Sequence, residues 1–454
     1  LVRMVNSQLP AKFSEKLTSF LMDNMLGNFR TLITRNAGGN IGLNAVEQLL
    51  ERPLAALIDR GLAKKTGRRT KAGLTKAGIL EYLQGFGKGL KEEADDFKRN
   101  LYTSRSGEVT FEDAIAKNRH VFKEGGLLDR FYDKMVKHGL SIGDRPFYEA
   151  VYNQTLGDYQ RLRESGQMGE LIQGLSDEEF NMYAEAAAKM NALAAVYQQD
   201  TTLANALLGF KNSIGDLSRG LIGVDVLSQF SMPFVKTPAN VIERAIDYSP
   251  LGLVRNTFRT GKELKNGNFD QNRFANETAR NILGTALMGG GAAFANAGGM
   301  EGAYSKDTDE KKAQKDAGMI EYGLKLPGGY ETDIGWVPVV GSNLVASAAA
   351  MDAFNKGEGN AASNLAKGLL AGGKAQLDQS MFQGMQRLFG GSGSYDSDKN
   401  LFSNMTDVFS SGLGQFVPSL LRQTGQVSDE YQRDLSNSNP DASLLFMDNY
   451  DINS

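Results

Sequence analysis

The chain has 454 residues, enough for one to three domains with a substantial core. Its 50 Lys and Arg nearly balance 53 Asp and Glu, so bulk electrostatics supply no chain-wide affinity for nucleic acid and any such contact must be local. Cysteine is absent, which excludes disulfides, thiolate metal sites and cysteine nucleophiles together and leads us to expect folding in a reducing cytoplasm. The sequence opens on Leu1, without a basic and apolar leader, and is read as part of a longer polypeptide. Its 52 glycines and only 10 prolines suit a helix-dominated protein in which glycine serves tight crossings, breaks or hinges.

Residues 11–101 show apolar positions at three- and four-residue spacing, as in Leu17, Phe20, Leu21, Met25 and Leu26, and predict helices. A basic loop interrupts them, with Lys64, Lys65, Arg68, Arg69 and Lys71 placing five cations in eight residues. Residues 108–199 also read helical. Within them Ser176 and Glu179 form a capping-box signature ahead of Phe180, Met182, Tyr183, Ala186, Met190 and Leu193. After a soft boundary near residue 230, Pro233 and Pro238 bias the residues before them to extended conformations; Thr237 can cap a helix and Pro238 fits its first position. That helix is expected to bury Val241, Ile242, Ala245 and Ile246, with Glu243, Arg244 and Asp247 opposite. Ser249-Pro250 starts a second helix, which should end near the glycines at 261–267.

Two stretches, 281–300 and 334–351, carry no charge. They are expected to be closely packed helices, with conditional membrane entry as the alternative, because about 20 residues of helix span a bilayer core. A polar, charged connector covers 305–316. Next comes the only strong strand signal, a β-hairpin at about 319–336 turning on Pro327-Gly328-Gly329. A further Gly/Ala-rich helix is expected over 361–389, a flexible connector at 390–394, and an acidic polar arm from Ser428. The fold class is therefore mainly α: an extended multi-helix assembly with one small hairpin. It divides into an N-terminal helical region (1–230), a helical region with Gly/Ala-rich helices and the hairpin (231–389), and a linker with short helices and an acidic arm (390–454).

Chemistry-bearing motifs are sparse. His120 and His138 are the only histidines and lie 18 positions apart, which is not a zinc-ligand spacing, so no metal or cofactor is expected. No nucleophile elbow is present, and Gly85-Phe86-Gly87-Lys88-Gly89 lacks the spacing and the preceding strand of a phosphate-binding loop. Glu164-Ser165 resembles the acid of lytic transglycosylases, but the apolar approach and the downstream segment are missing, and an exposed helix end is the better account. Arg255, Arg259 and Lys262, at i, i+4 and i+7, form one cationic stripe. Like the Lys64 to Lys71 loop, it is a candidate for phosphate or anionic-surface contact, with a solvated helix face as the plain alternative. Neither cluster interleaves aromatics as a base-stacking platform would.

Three phrases occur in order: Arg35-Asn36 through Asn40, within the block that begins at Asn24; Pro233-Phe234-Val235-Lys236-Thr237-Pro238-Ala239-Asn240; and Phe416-Val417-Pro418 with Leu421-Arg422, followed by Tyr431-Gln432-Arg433-Asp434. Together they resemble the helical region of very large polyvalent and internal virion proteins of tailed bacteriophages. The resemblance implies a non-enzymatic structural segment, packaged inside the capsid or near the portal and delivered with the genome into the host envelope or cytoplasm. It implies other virion proteins, portal or internal core proteins, as partners, along with self-association and contact with phage DNA and host membrane. An apolar surface such as Leu253, Val254 and Phe258 would serve association. The alternative is a helical connector of a giant polyvalent phage protein, flanking wall-hydrolase or polymerase modules.

Overall fold

A computed structural model describes residues 37–99, 138–199, 201, 205, 236–305 and 307–377. Outside these described residues lie Arg35, Asn36, Pro233, Phe234, Pro418, Arg422, Arg433, His120, the boundary near 230, the 390–394 connector and the acidic arm. The described chain is mainly α, with one two-stranded antiparallel sheet.

Helix α1 (Gly38–Val46) runs through a π-helical turn, Glu47–Glu51, directly into α2 (Arg52–Thr66). Pro53, which has no amide hydrogen to donate, falls directly after the π-helical residues, where the regular ladder of hydrogen bonds is already interrupted. Gly67, at φ +70°, ends α2 by donating its N–H to the Ala63 carbonyl, the left-handed cap that glycine adopts without strain. Two long helices follow, α3 (Lys76–Arg99) and α4 (His138–Glu164), in the most extensive helix pair among the described residues. Glycine decides how they meet. A Cβ on Gly85 would fall 2.4 Å from the Glu149 carbonyl oxygen, and one on Gly89 would fall 2.7 Å from Pro146 Cα, so these two positions, one helical turn apart, admit the α4 backbone. The glycine-rich run that lacks phosphate-loop spacing is thus a helix-crossing surface.

Helix α5 (Gly169–Gln173) is a single turn, and α6 (Asp177–Ala195) packs on α4. The capping box forms as expected: Glu179 N–H donates to Ser176 Oγ, and Ser176 N–H donates to the Glu179 carboxylate at 2.9 Å. The face of α6 that packs differs from the expected apolar set. Ala184, Ala188, Ala192 and Ala195 are buried with Phe180, whereas Met182 and Met190 stay 60% and 68% exposed. Alanines at four- and three-residue spacing let the helix axes approach; the bulkier methionines are left on the outer side.

Helix α7 spans Lys236–Asp247, α8 Pro250–Lys265 and α9 Gln271–Asn296. Helix α7 begins two residues before Pro238, which a first turn accommodates because its amides need no intrahelical partner. Its buried face matches the expected one only in part. Val241 is buried and Ala245 and Ile246 are half-buried, but Ala239, Asn240 and, just past the helix end, Tyr248 are buried too, and Arg244, expected outside, is 4% exposed. The cause is a carboxylate waiting on the far side, described below. Helix α8 starts at Pro250 and is followed by Gly267 at φ +70°, as the sequence indicates.

The expected connector at 305–316 contains helix α10 (Thr308–Asp316), whose first amides donate to Asp307 Oδ1. Strand β1 (Leu324–Lys325) pairs with β2 (Glu331–Thr332), Leu324 opposite Thr332, and Gly328 and Gly329 both adopt positive φ in the turn. The hairpin is shorter than 319–336 because the Met319 N–H is spent on the Gln314 carbonyl, the Ile320 N–H on Glu331 Oε2, and the Gly323 N–H on a turn to Ile320.

Helices α11 (Val340–Asn355) and α12 (Ala361–Leu377) complete the described fold. Helix α11 lies between α9 and α12, which explains why 334–351 holds no charge: both sides are covered. The two uncharged stretches meet each other, with Ser347 Oγ donating to the Met288 carbonyl at 2.9 Å and Gly291 set against Ser347 and Leu344. Among the described residues no helix is long and apolar enough to cross a membrane. One core cluster joins Leu43 and Val46 of α1 to Tyr197, Val241, Tyr248 and Val339; another joins Tyr159 and Leu162 of α4 to Met168 and Phe180.

The helix crossings give a direct test. A Cβ on Gly284 would lie 2.1 Å from the Tyr248 carbonyl, whereas one on Gly289, in the same helix, meets nothing within 4 Å. By chemical denaturation, Gly284→Ala should cost about 2 kcal/mol or more through overpacking. Gly289→Ala should stabilise by about 0.5–1 kcal/mol, the ordinary gain for a helical glycine replaced by alanine.

Candidate functional site

Buried charge gathers at several helix contacts, among them Arg145 of α4 against Glu92, Glu93 and Asp96 of α3, and the pairs that join the most distant parts of the sequence lie where the π-helical turn meets α7 and α9. The π-helical turn adds a residue to the helical path and sets Glu47 and Glu51 along one face, towards α7 and α9. Arg244 of α7 bonds Glu47; the Tyr248 hydroxyl bonds Glu51; Arg280 Nε of α9 lies 2.9 Å from Glu51 Oε1 and its Nη1 lies 3.7 Å from Asp247 Oδ2. Burial pushes the Glu47 carboxyl up, and this outweighs the opposing pull of Arg244. Burial acts on Glu51 in the same sense, but Arg280, Arg244 and the Tyr248 hydroxyl outweigh it and hold that carboxyl below its usual value. Burial, reinforced by Glu51, raises the Tyr248 phenol well above its usual range.

Beside these pairs lies a partly open cavity of about 110 Å3, lined in part by Glu47, Glu51, Arg52, Lys71, Asp158, Arg244 and Arg280. Arg52 bonds Asp158, which also accepts from Arg161 Nη2 at 2.6 Å. Lys71 reaches this cavity from the basic loop, because the loop is wound around a fully buried acid. Asp59 accepts the Thr70 and Lys71 amides at 3.1 and 3.2 Å, the Thr70 hydroxyl at 2.7 Å and Gln271 Nε2 at 2.8 Å. Arg69 Nε approaches the same carboxylate at 3.4 Å. Burial, with Arg280 and Arg52 adding to it against the pull of Glu51, lowers the Lys71 ammonium to about 8.

The candidate cations therefore separate. Lys64 and Lys65 are exposed in the last turn of α2; Arg68 is half-buried against Gly169, its carbonyl accepting from Gln271; Arg69 and Lys71 are drawn inward. On α8, Arg255 is paired with Asp247 and Arg259 with Glu263 and Glu277, so only Lys262 of that stripe stands exposed without an ion pair among the described residues. Glu164 ends α4 in an exposed position. Asn40 donates to the Gly143 carbonyl and to Asp144 Oδ1, and Asn240 donates to the Tyr197 and Gln199 carbonyls. Lys236, Thr237 and Pro238 lie in the first turn of α7. No group of three or more His, Asp or Glu able to hold a metal occurs among the described residues.

Sequence reasoning passed over Glu47, Glu51 and Arg280. The available signal was faint: two acids four apart in an otherwise apolar run, and a lone arginine opening an uncharged stretch. A second, larger cavity of about 450 Å3 opens between α6 and the turn before α9, lined by Met168, Ile172, Tyr183, Met190 and Phe269 together with Arg68 and Asp270. It gives the exposed side of α6 its surroundings.

Comparison with family models, with curated proteins and with solved structures yields no match for this chain.

The half-buried setting of Lys71 has a pH signature. Its folded pKa of about 8 lies below the ordinary 10.5, so between those values the unfolded chain holds a proton that the folded chain has released, and stability from this group rises with pH. In buffer free of multivalent anions, Lys71→Met should be more stable than the parent at pH 7, by on the order of 1 kcal/mol. That advantage should shrink as pH is raised from 8 towards 10, measured by paired urea titrations.

Proposed function

We propose that this chain is a structural, non-catalytic helical segment of an internal virion or ejection protein of a tailed bacteriophage. In this reading it is packaged in the capsid interior or near the portal, and it enters the host envelope or cytoplasm with the genome. The observation that supports it best is the role of the two phrase asparagines that the structure describes. Asn40 and Asn240 are 4% and 0% exposed, and both spend their side-chain amides on backbone carbonyls of other segments. Residues of the shared phrases thus act as interior clamps and present no reactive group to a cleft. A phrase that encodes packing is what a structural segment would share with its relatives.

Surface character points the same way. Phe258, Val254 and Leu253 of α8 stand 77%, 53% and 38% exposed on a helix whose flanking Lys262 has no ion pair among the described residues. In the proposed setting this face meets other copies or other virion proteins, and local cations such as Lys64, Lys65 and Lys262 supply contact with genome or anionic envelope.

Quantitative mass spectrometry of purified particles tests the proposal. The chain should be present at fixed copy number in DNA-filled particles and depleted from particles that have ejected their genome in vitro. Finding it in producing cells but absent from filled particles would refute the reading.

A further inference from the structure

We propose that the 450 Å3 cavity beside α6 is a binding site for a small, uncharged, planar aromatic molecule of two or three fused rings. The two sides of α6 are used differently. Its alanines pack against α4, and a helix with one packing partner ordinarily turns polar residues to its other side. On α6 that other side carries Tyr183, Ala186 and Met190 at three- and four-residue spacing; Tyr183 stays 40% exposed and Met190 68%. All three line the cavity, and Met168, Ile172 of α5, Tyr159 of α4 and Phe269 of the turn before α9 complete its apolar lining. Alanine at 186 and 187 keeps the space open, since a larger side chain at either position would fill it. Apolar surface left open inside a concavity is surface that an apolar guest removes from water.

Rings and thioethers specify the guest. Tyr159, Tyr183 and Phe269 offer aromatic partners, and Met168 and Met190 offer sulfurs, which favour the edge of a ring. A saturated molecule of the same shape gains only the buried area from such walls. Size agrees, because an apolar cavity of ~150 Å3 holds one benzene, and about 450 Å3 leaves room for two or three fused rings. Charge agrees as well: Arg69 is met by Asp59, and the remaining charged residues of the lining, Arg68 and Asp270, have opposite signs, so the guest needs no net charge. Asn268 and Asn272 add side-chain amides that can bond a ring substituent. The cavity is partly open, which supplies a path in. Nothing in this lining depends on the virion setting proposed above.

Nuclear magnetic resonance of the full chain with isotopically labelled methionine methyls, titrated with 2-naphthol, tests this. The Met168 and Met190 methyls should shift along one saturable curve. Met182, which is 60% exposed on the same helix but does not line the cavity, should not move. Ala186→Trp, which fills the cavity from an exposed position, should weaken binding at least tenfold, and Met182→Trp should change it less than twofold. Decahydro-2-naphthol, the same skeleton without aromatic rings, should bind several-fold more weakly. Unshifted Met168 and Met190, Met182 moving as far as they do, undiminished binding to a folded Ala186→Trp, or the saturated alcohol binding as tightly would each overturn the assignment.

Discussion

Two arginines on late helices, Arg244 and Arg280, reach two glutamates on an early π-helical turn, and the arrangement of the described helices depends on those pairs. All four side chains are largely removed from water, and the pairs join positions about 200 residues apart in sequence. Such pairs give little net stability compared with well-packed apolar residues. Breaking one is different: removing a single partner strands the other charge and typically costs about 3–5 kcal/mol. The pairs therefore act less as glue than as a condition on register. Helices α7 and α9 can dock only where Glu47 and Glu51 are waiting, and Tyr248, packed between them with its hydroxyl on Glu51, fixes the rotation of α7.

Small residues set how closely the helices approach: the backbones meet at Gly85 and Gly89 against α4, at Gly284 against Tyr248, and at Gly368 and Gly372 against α11. Alanine plays the same part along α6. The interior is consequently a mix of close small-residue crossings and buried polar clamps, among them Asp59 under its loop and Asn240 on the Tyr197 and Gln199 carbonyls. A fold of this kind commits its polar groups inward to its own backbone.

Much of the local structure could be read from the residues. The capping box at Ser176 and Glu179, the start at Pro250 and the hairpin turn at Pro327-Gly328-Gly329 each rest on short-range geometry that neighbouring residues dictate. What could not be read is which face of a helix turns inward when its partner supplies a charge. Arg244 reads as the outer face of α7 because charge normally seeks water; only the distant Glu47 reverses this. The same holds for Lys71, which reads as one more cation of a basic loop until Asp59 is seen to pull that loop inward. On α6 the large apolar residues suggest a buried stripe, yet close approach selects the alanines, a choice set by the partner helix.

The central claim, that early and late helices are held in register by buried charge pairs, is tested most directly by a double-mutant cycle on Glu51 and Arg280. Unfolding free energies of Glu51→Gln, Arg280→Met and the double variant would be compared with the parent. The account predicts that the double variant loses much less than the sum of the singles, with a coupling above about 1 kcal/mol. Additivity within about 0.5 kcal/mol would contradict it, because the two side chains would then act independently and the register would have another cause.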